Sequence, residues 1–525
     1  MRTVSVTLAF AVVCALNGAS AQDKVRKPEL SNTIDHILEG KWSGLKGGAA
    51  PVAEDGEFLR RLSLDLRGHP PGLTELRAFI AETDANKRLA KIDEYLESDA
   101  YATQMGHWLN NVLFFENCND LYIQPGKNFS YKTRKRLEKD FRGYLKNHAQ
   151  KDTPVVNVLK ELLESSGSTE KNPLVLYKLS MYDGEPAHLE FADRLSRAWL
   201  GVKISCAKCH DHPFDNWTQE DFYGMAGFFS RHKLKLIGGA KDNECDEVEM
   251  YEDAQAMPLT MPETNKVLKA RFIYGGDAAK ADPYMTALAF FMARRDHNML
   301  ARNFANRLWA WLMGRGLYHP VDDFNKKNKA TIPELLDNMA REFAANKYSI
   351  KFLVRAICAS KSYQRGSQRE VTGDVKDFAR ATIRQQTTAQ LFNSILVASK
   401  GAEALDKGEG QQMWGYWTSQ MNLVFGPGIA WSEISFVPPN ARTMLLIRNS
   451  DQVRNIVRGL ATDACTAPGE KAEKIDTLML RILCRPATDG EKERWTKWLT
   501  DHDSSEGYED LVWTLFNSTE FVTRH

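Results

Sequence analysis

Apolar residues recur three and four positions apart through much of this chain, and that period predicts helices. Over 301–312 the apolar stripe is Ala301, Phe304, Ala305, Leu308, Trp309 and Leu312. Thr331-Ile332-Pro333-Glu334 reads as a capping box with proline in the first turn, opening a helix through Leu335, Leu336, Met339 and Phe343. Thr488 and Glu491 repeat the device ahead of Trp495, Trp498 and Leu499, and Thr218 with Asp221 starts a helix carrying Phe222, Met225, Phe228 and Phe229. From His232 to Pro283 the pattern changes to Gly, Pro and acidic residues with short alternations. Lys233–Ile237 and Lys269–Tyr274, the latter just before Gly275-Gly276, are predicted strands. The expected fold class is therefore mainly α, with helical bodies at 22–231 and 285–525 and a loop-and-strand insert at 232–284.

The candidate chemistry lies between two predicted helices. Cys206-Ala207-Lys208-Cys209-His210 is a Cys-x-x-Cys-His pattern, in which two thiols can form thioethers to haem vinyl groups while the next imidazole reaches the iron. With 8 Cys and 12 His in 525 residues, composition alone would produce it ~0.003 times. In the haem c reading Cys206 and Cys209 hold the porphyrin and His210 is the proximal ligand. Met257 or Met261, each followed by proline, would be the distal ligand, with His232 and Met225 as alternatives. In the zinc reading, Cys206, Cys209, His210 and His212 are donors within seven residues, of which both thiolates and one His would bind with a fourth ligand from elsewhere, the two histidines being cramped for a single tetrahedral centre. In a third reading the cysteines are a disulfide or reduced pair, and His212-Pro213-Phe214-Asp215 fixes a turn.

Compartment bears on that choice. Arg2, the apolar run Val4–Leu16 and Ala19-Ser20-Ala21 predict a secretory signal at 1–21, cut after Ala21. The expectation is an exported protein, periplasmic or extracellular, with no membrane span, because no later run has eighteen uninterrupted apolar residues. Cys14 falls in the signal. Of Cys118, Cys206, Cys209, Cys245, Cys358, Cys465 and Cys484, the pair Cys465–Cys484 could tie two C-terminal helices.

Composition narrows the picture only slightly. A formal net charge of +1 gives no bulk attraction for nucleic acid. The acidic run Asp242–Asp253 lacks the spacing and central glycine of an EF-hand loop. No phosphate-binding glycine loop, hydrolase nucleophile elbow or His-Glu-x-x-His helix is present. Arg302, Asn303, Asn306 and Arg307 share one face of the 301–312 helix and could meet Asp322 and Asp323, as a polar cleft or as a network between helices. Asp65, Arg67 and His69 form a smaller polar group.

Several blocks carry a family resemblance. Arg60-Arg61-Leu62-Ser63-Leu64-Asp65-Leu66-Arg67-Gly68-His69-Pro70-Pro71 and Leu200–Asp215 resemble the planctomycete-type cytochrome c-like domain DUF1549. Asn303–Trp309, Gly314–Leu317, Asp322–Phe324, Ser362-Tyr363-Gln364, Arg485–Thr488 and Asn517–Phe521 are similar to its partner domain DUF1553. The resemblance implies electron transfer or haem redox chemistry supporting extracytoplasmic catabolism, with a redox partner or a sulfatase-like neighbour protein. Its alternative is a non-haem enzyme, binding protein or scaffold related to polysaccharide. The chain has one Cys-x-x-Cys-His, against two or more in larger relatives.

Overall fold

The computed structural model describes residues 26–525 except 115–121, 125–126, 182–186, 214, 238–243, 254, 257–258, 262–263, 279–282, 368–373, 406–444 and 446–448. The expected signal at 1–21, Cys14, Cys118, Phe214, Asp242, Met257, Pro258 and Pro262 lie outside the described residues.

The fold is mainly α, with two helical regions and a strand-containing segment between them. The 301–312 stripe becomes part of the helix Met299–Met313, and every residue of the stripe is buried. Thr218 and Thr488 form capping boxes with Asp221 and Glu491, as their spacing predicts. Thr331 does not cap. The helix Pro333–Ala345 has Ile332 at its N-cap with no side-chain cap, and Thr331 lies one residue too early, its amide on the Leu317 carbonyl at 2.8 Å. Pro333 at the first position has no amide hydrogen to satisfy.

The predicted strand at Lys233–Ile237 forms as His232–Ile237. It pairs antiparallel with Glu247–Glu252, which also takes Gly167–Ser168 on its other edge. The second predicted strand, Lys269–Tyr274, does not form, and only an isolated bridge joins Arg271 to Asp277. Two glycines of the helix Gln219–Gly227 explain the difference. The Arg271 amide donates to the Gly224 carbonyl at 3.0 Å, and a Cβ on Gly227 would lie 3.1 Å from Ala270 Cα. The segment packs onto this bare helix edge instead of joining a sheet.

Two apolar cores hold the molecule. The larger runs from Leu30 to Ala379, drawing on helices from both sides of the strand-containing segment. The smaller gathers Leu391, Val457, Leu478, Leu511 and Phe521 from the C-terminal helices. A buried ionic junction joins them. Asp65, on the helix Asp55–Arg67, accepts from Arg524 Nε at 2.9 Å, from Arg384 at 3.3 Å and from the Tyr363 hydroxyl at 2.8 Å. Arg524 Nη2 closes a second bond to the same carboxylate. Arg60 donates to the Phe521 carbonyl at 2.9 Å, and Arg61 to the Tyr363 and Arg365 carbonyls at 2.6 and 2.8 Å.

Cys465 and Cys484 are free thiols, so the disulfide considered between them is not made. Cys484 is buried with its sulfur 3.9 Å from Arg60 Nη1, while Cys465 packs at the margin of the smaller core.

Candidate functional site

The Cys-x-x-Cys-His motif lies on the surface between two helices, as its sequence context predicts. The helix Ala187–Leu195 continues into one π-helical turn, Ser196–Leu200, and stops at Gly201, which has φ 72°. A Cβ there would sit 2.7 Å from Asn303 Oδ1 and 2.8 Å from the Phe324 ring. Both the left-handed backbone and the close approach require glycine. The Gly201 carbonyl then accepts the Phe324 amide at 2.8 Å, and Asn303 Nδ2 donates to the Ala198 carbonyl at 2.8 Å.

Asp193 holds the start of the loop, accepting the Ile204 amide at 3.3 Å, and burial pushes its carboxyl up. Ser205–Lys208 form a single 3₁₀ turn, after which the Cys209 amide donates to the Cys206 carbonyl at 3.4 Å. Ala207 is buried beneath the turn, and the thiols of Cys206 and Cys209 are exposed and free.

His210 is exposed, with Nδ1 2.8 Å from the Asp211 carbonyl oxygen. A carbonyl can only accept, so Nδ1 carries a hydrogen, and in the neutral ring Nε2 is the nitrogen left with a lone pair. That is the tautomer of an imidazole ligand whose second nitrogen is fixed by a backbone acceptor. Gln219 closes the loop from the other side. Its Nε2 donates to the Lys208 and Cys209 carbonyls at 3.3 and 3.1 Å, and its amide to Asp211 Oδ1 at 2.9 Å. The His212 amide donates to the Trp217 carbonyl at 2.7 Å, and the Trp217 ring meets Tyr274 edge-on at 5.4 Å.

These donors fit a c-type haem: two free, solvent-facing thiols at the attachment spacing, followed by an imidazole with a fixed tautomer. The four-donor zinc arrangement is not gathered. Among the described residues no group of three His, Cys, Asp or Glu side chains is placed to hold a metal ion.

The proposed distal ligands are placed unevenly. Met261 is partly buried against the larger core, with its amide on the Lys266 carbonyl at 2.9 Å. Met225 is fully buried in the core. His232 packs against the stacked rings of Phe191 and Phe229, and its Nε2 takes the buried Lys178 ammonium at 3.1 Å. Burial and then Lys178 drive the His232 imidazole well below its usual range, and burial lowers Lys178 to about 8.

The polar face of the 299–313 helix is a network, not an open cleft. Asn303, Asn306 and Arg307 are buried, and Arg307 bonds Asn303 Oδ1 and the Arg197 carbonyl, each at 3.0 Å. Asn306 caps Tyr318, Arg302 pairs with Asp337 at 3.2 Å, and Asp322 is taken by Arg197 at 2.9 Å and Lys203 at 3.5 Å. Its effect is to brace Gly201 and the loop that follows. Asp193 and Gln219 escaped the sequence reading, because Gln219 reaches carbonyls ten and eleven residues upstream and no periodicity marks such a contact.

Two family models match the chain. The first, PSCyt2, described as a protein of unknown function (DUF1549), covers 33–233, and the second, PSD1, described as a protein of unknown function (DUF1553), covers 285–421. No curated protein and no solved structure matches.

Proposed function

Because the chain carries a DUF1549 domain followed by a DUF1553 domain, we propose that it is an exported c-type haem protein. Cys206 and Cys209 would hold the haem through thioethers, with His210 as the proximal ligand. The bound haem would supply one-electron redox chemistry, serving electron transfer or an extracytoplasmic catabolic reaction. The observation that carries this reading is the pairing of two free, exposed thiols with a His210 whose Nδ1 is committed to the Asp211 carbonyl.

The remaining side chains have definable tasks. The Nδ1–H bond orients the imidazole and raises its basicity as a ligand. Gln219 and Asp193 fix the two limbs of the loop, so that the thiol face is presented without a search through loop conformers. Among the described residues no helix is long and apolar enough to cross a membrane.

The test is a pyridine haemochrome spectrum on protein exported from a host with cytochrome c maturation. A c-type band that disappears in Cys206→Ala/Cys209→Ala is the expected result. A colourless wild-type protein from a host that matures a control cytochrome would overturn the reading.

A further inference from the structure

The sheet of the strand-containing segment ends in an open edge. Its strands lie in the order Gly167–Ser168, Glu247–Glu252, His232–Ile237, so among the described residues His232–Ile237 is paired on one side only. The ladder fixes which backbone groups face outward. The Asp253 amide donates to the Arg231 carbonyl at 2.8 Å, whereas the His232 amide turns away to the Phe229 carbonyl at 3.0 Å. In an antiparallel pair bonded and non-bonded residues alternate. Lys233, Lys235 and Ile237 therefore exchange bonds with Tyr251, Glu249 and Glu247, and Leu234 and Leu236 turn their amides and carbonyls outward. On the far side of the same ladder Val248, opposite Leu236, gives its carbonyl to the Thr169 amide at 2.9 Å and its amide to Thr169 Oγ1 at 3.1 Å. No described backbone group bonds the outward pair at Leu234 and Leu236.

The side chains give this edge a chemical preference. Lys233 and Lys235 are exposed on one face, while Leu234 and Leu236 pack partly buried against the larger core on the other. The inner neighbour shows what such a strand accepts. Glu247-Val248-Glu249-Met250 sets Glu249 across from Lys235 and buries Val248 and Met250 opposite Leu236 and Leu234. A second copy cannot lend that strand, because it is already paired on both edges. Edge-to-edge pairing of two His232–Ile237 strands would set lysines of the two copies side by side on one face, and like charges opposed across strands repel.

We propose that the open side of His232–Ile237 takes up an extended peptide of a partner protein in which acidic and apolar residues alternate, as a fourth strand of this sheet. The peptide main chain would bond the Leu234 and Leu236 amides and carbonyls. Its acidic side chains would lie beside Lys233 and Lys235, and its apolar ones would cover Leu234 and Leu236. The site shares no residue with the Cys206–His210 turn, so it stands independently of the haem reading.

The test uses the full-length protein and a labelled, end-blocked peptide of four glutamates alternating with three valines. Binding is followed by anisotropy, and hydrogen exchange is read residue by residue. The expected result is saturable binding that slows exchange of the Leu234 and Leu236 amides at least about tenfold, with little change at Lys233 and Lys235, whose amides are already in the ladder. Lys233→Glu/Lys235→Glu, with its fold checked by urea midpoint, should bind this peptide about tenfold more weakly. The same variant should gain affinity for a peptide with lysine in place of glutamate. Absence of binding, equal binding of the glutamate and lysine peptides by the wild type, or binding that leaves Leu234 and Leu236 exchange unchanged would overturn the proposal. So would a wild-type dimer that protects these two amides without peptide, since the occupant would then be a second copy.

Discussion

The Cys206–His210 turn and the Asp65 junction both gather reactive side chains, and they dispose of them in opposite ways. At the turn, two thiols and an imidazole face water, while the hydrogen bonds around them run to backbone carbonyls. At the junction, Asp65 and its arginines are withdrawn from water, and Asp65 accepts from Arg524, Arg384 and Tyr363. Saturated groups deep in a protein resist change and hold elements together. Groups left with free valence at a braced surface remain open to chemistry. The blocks that carry the DUF1549 and DUF1553 resemblance divide along the same line. Arg60–Pro71, Ser362–Gln364 and Asn517–Phe521 meet at the junction, the described part of Leu200–Asp215 forms the turn, and Asn303–Trp309 with Asp322–Phe324 braces it.

The sharpest way to break this contrast is to remove the junction's acceptor. Asp65→Ala leaves the buried Arg524 and the half-buried Arg384 without their carboxylate. It should cost about 3–5 kcal/mol, seen as a large drop in the urea midpoint, whereas a loss below about 1 kcal/mol would make the junction incidental.

Acid should attack the same region next. His69 is buried and His525 half-buried, and desolvation first, then neighbouring arginines, lowers their imidazoles to about 4 and about 3. The unfolded chain binds protons on these histidines from about pH 6.5 downward, while the native state refuses them until about pH 4 and 3. Stability is therefore intact above about pH 6.5 and falls as pH drops through the window below it, by about 3 kcal/mol from His69 alone at pH 4. Urea midpoints measured from pH 7 to pH 4 check this, and a flat profile would contradict it.

Gly201→Ala should cost about 2 kcal/mol, through its left-handed backbone and the clash with Asn303 and Phe324. That loss should loosen the loop as well as lower the midpoint. Gln219→Ala removes two bonds to loop carbonyls and should cost about 1 kcal/mol. Its main signature is faster hydrogen exchange over residues 204–212 with the junction amides unchanged. Smallest of all, Cys206→Ala/Cys209→Ala should leave the haem-free midpoint within about 0.5 kcal/mol of wild type, although it abolishes the proposed chemistry.

Legibility followed the same division. The 299–313 helix and the Thr218 and Thr488 caps were readable because periodicity and capping act within a few residues. The motif was readable because its chemistry is written in five consecutive positions. The strand expected at 269–274 failed because its competitor, the glycine edge of the 219–227 helix, lies more than forty residues away. Asp65 stood out only as part of a small polar group with Arg67 and His69, and Arg60 and Arg61 only as part of a family block, since their partners at 363, 384 and 521–524 come from the far end of the chain. Burial of such charges is decided by tertiary contact, which no local pattern records.

The most direct measurement is peptide mass mapping of denatured protein exported from a host with cytochrome c maturation. Denaturation removes every non-covalent ligand, so only thioether-bound haem survives. The expected result is one haem on the peptide containing Cys206 and Cys209 and none elsewhere. An unmodified Cys206–Cys209 peptide, under conditions that load a control cytochrome, would contradict the assignment of this turn as the molecule's chemical centre.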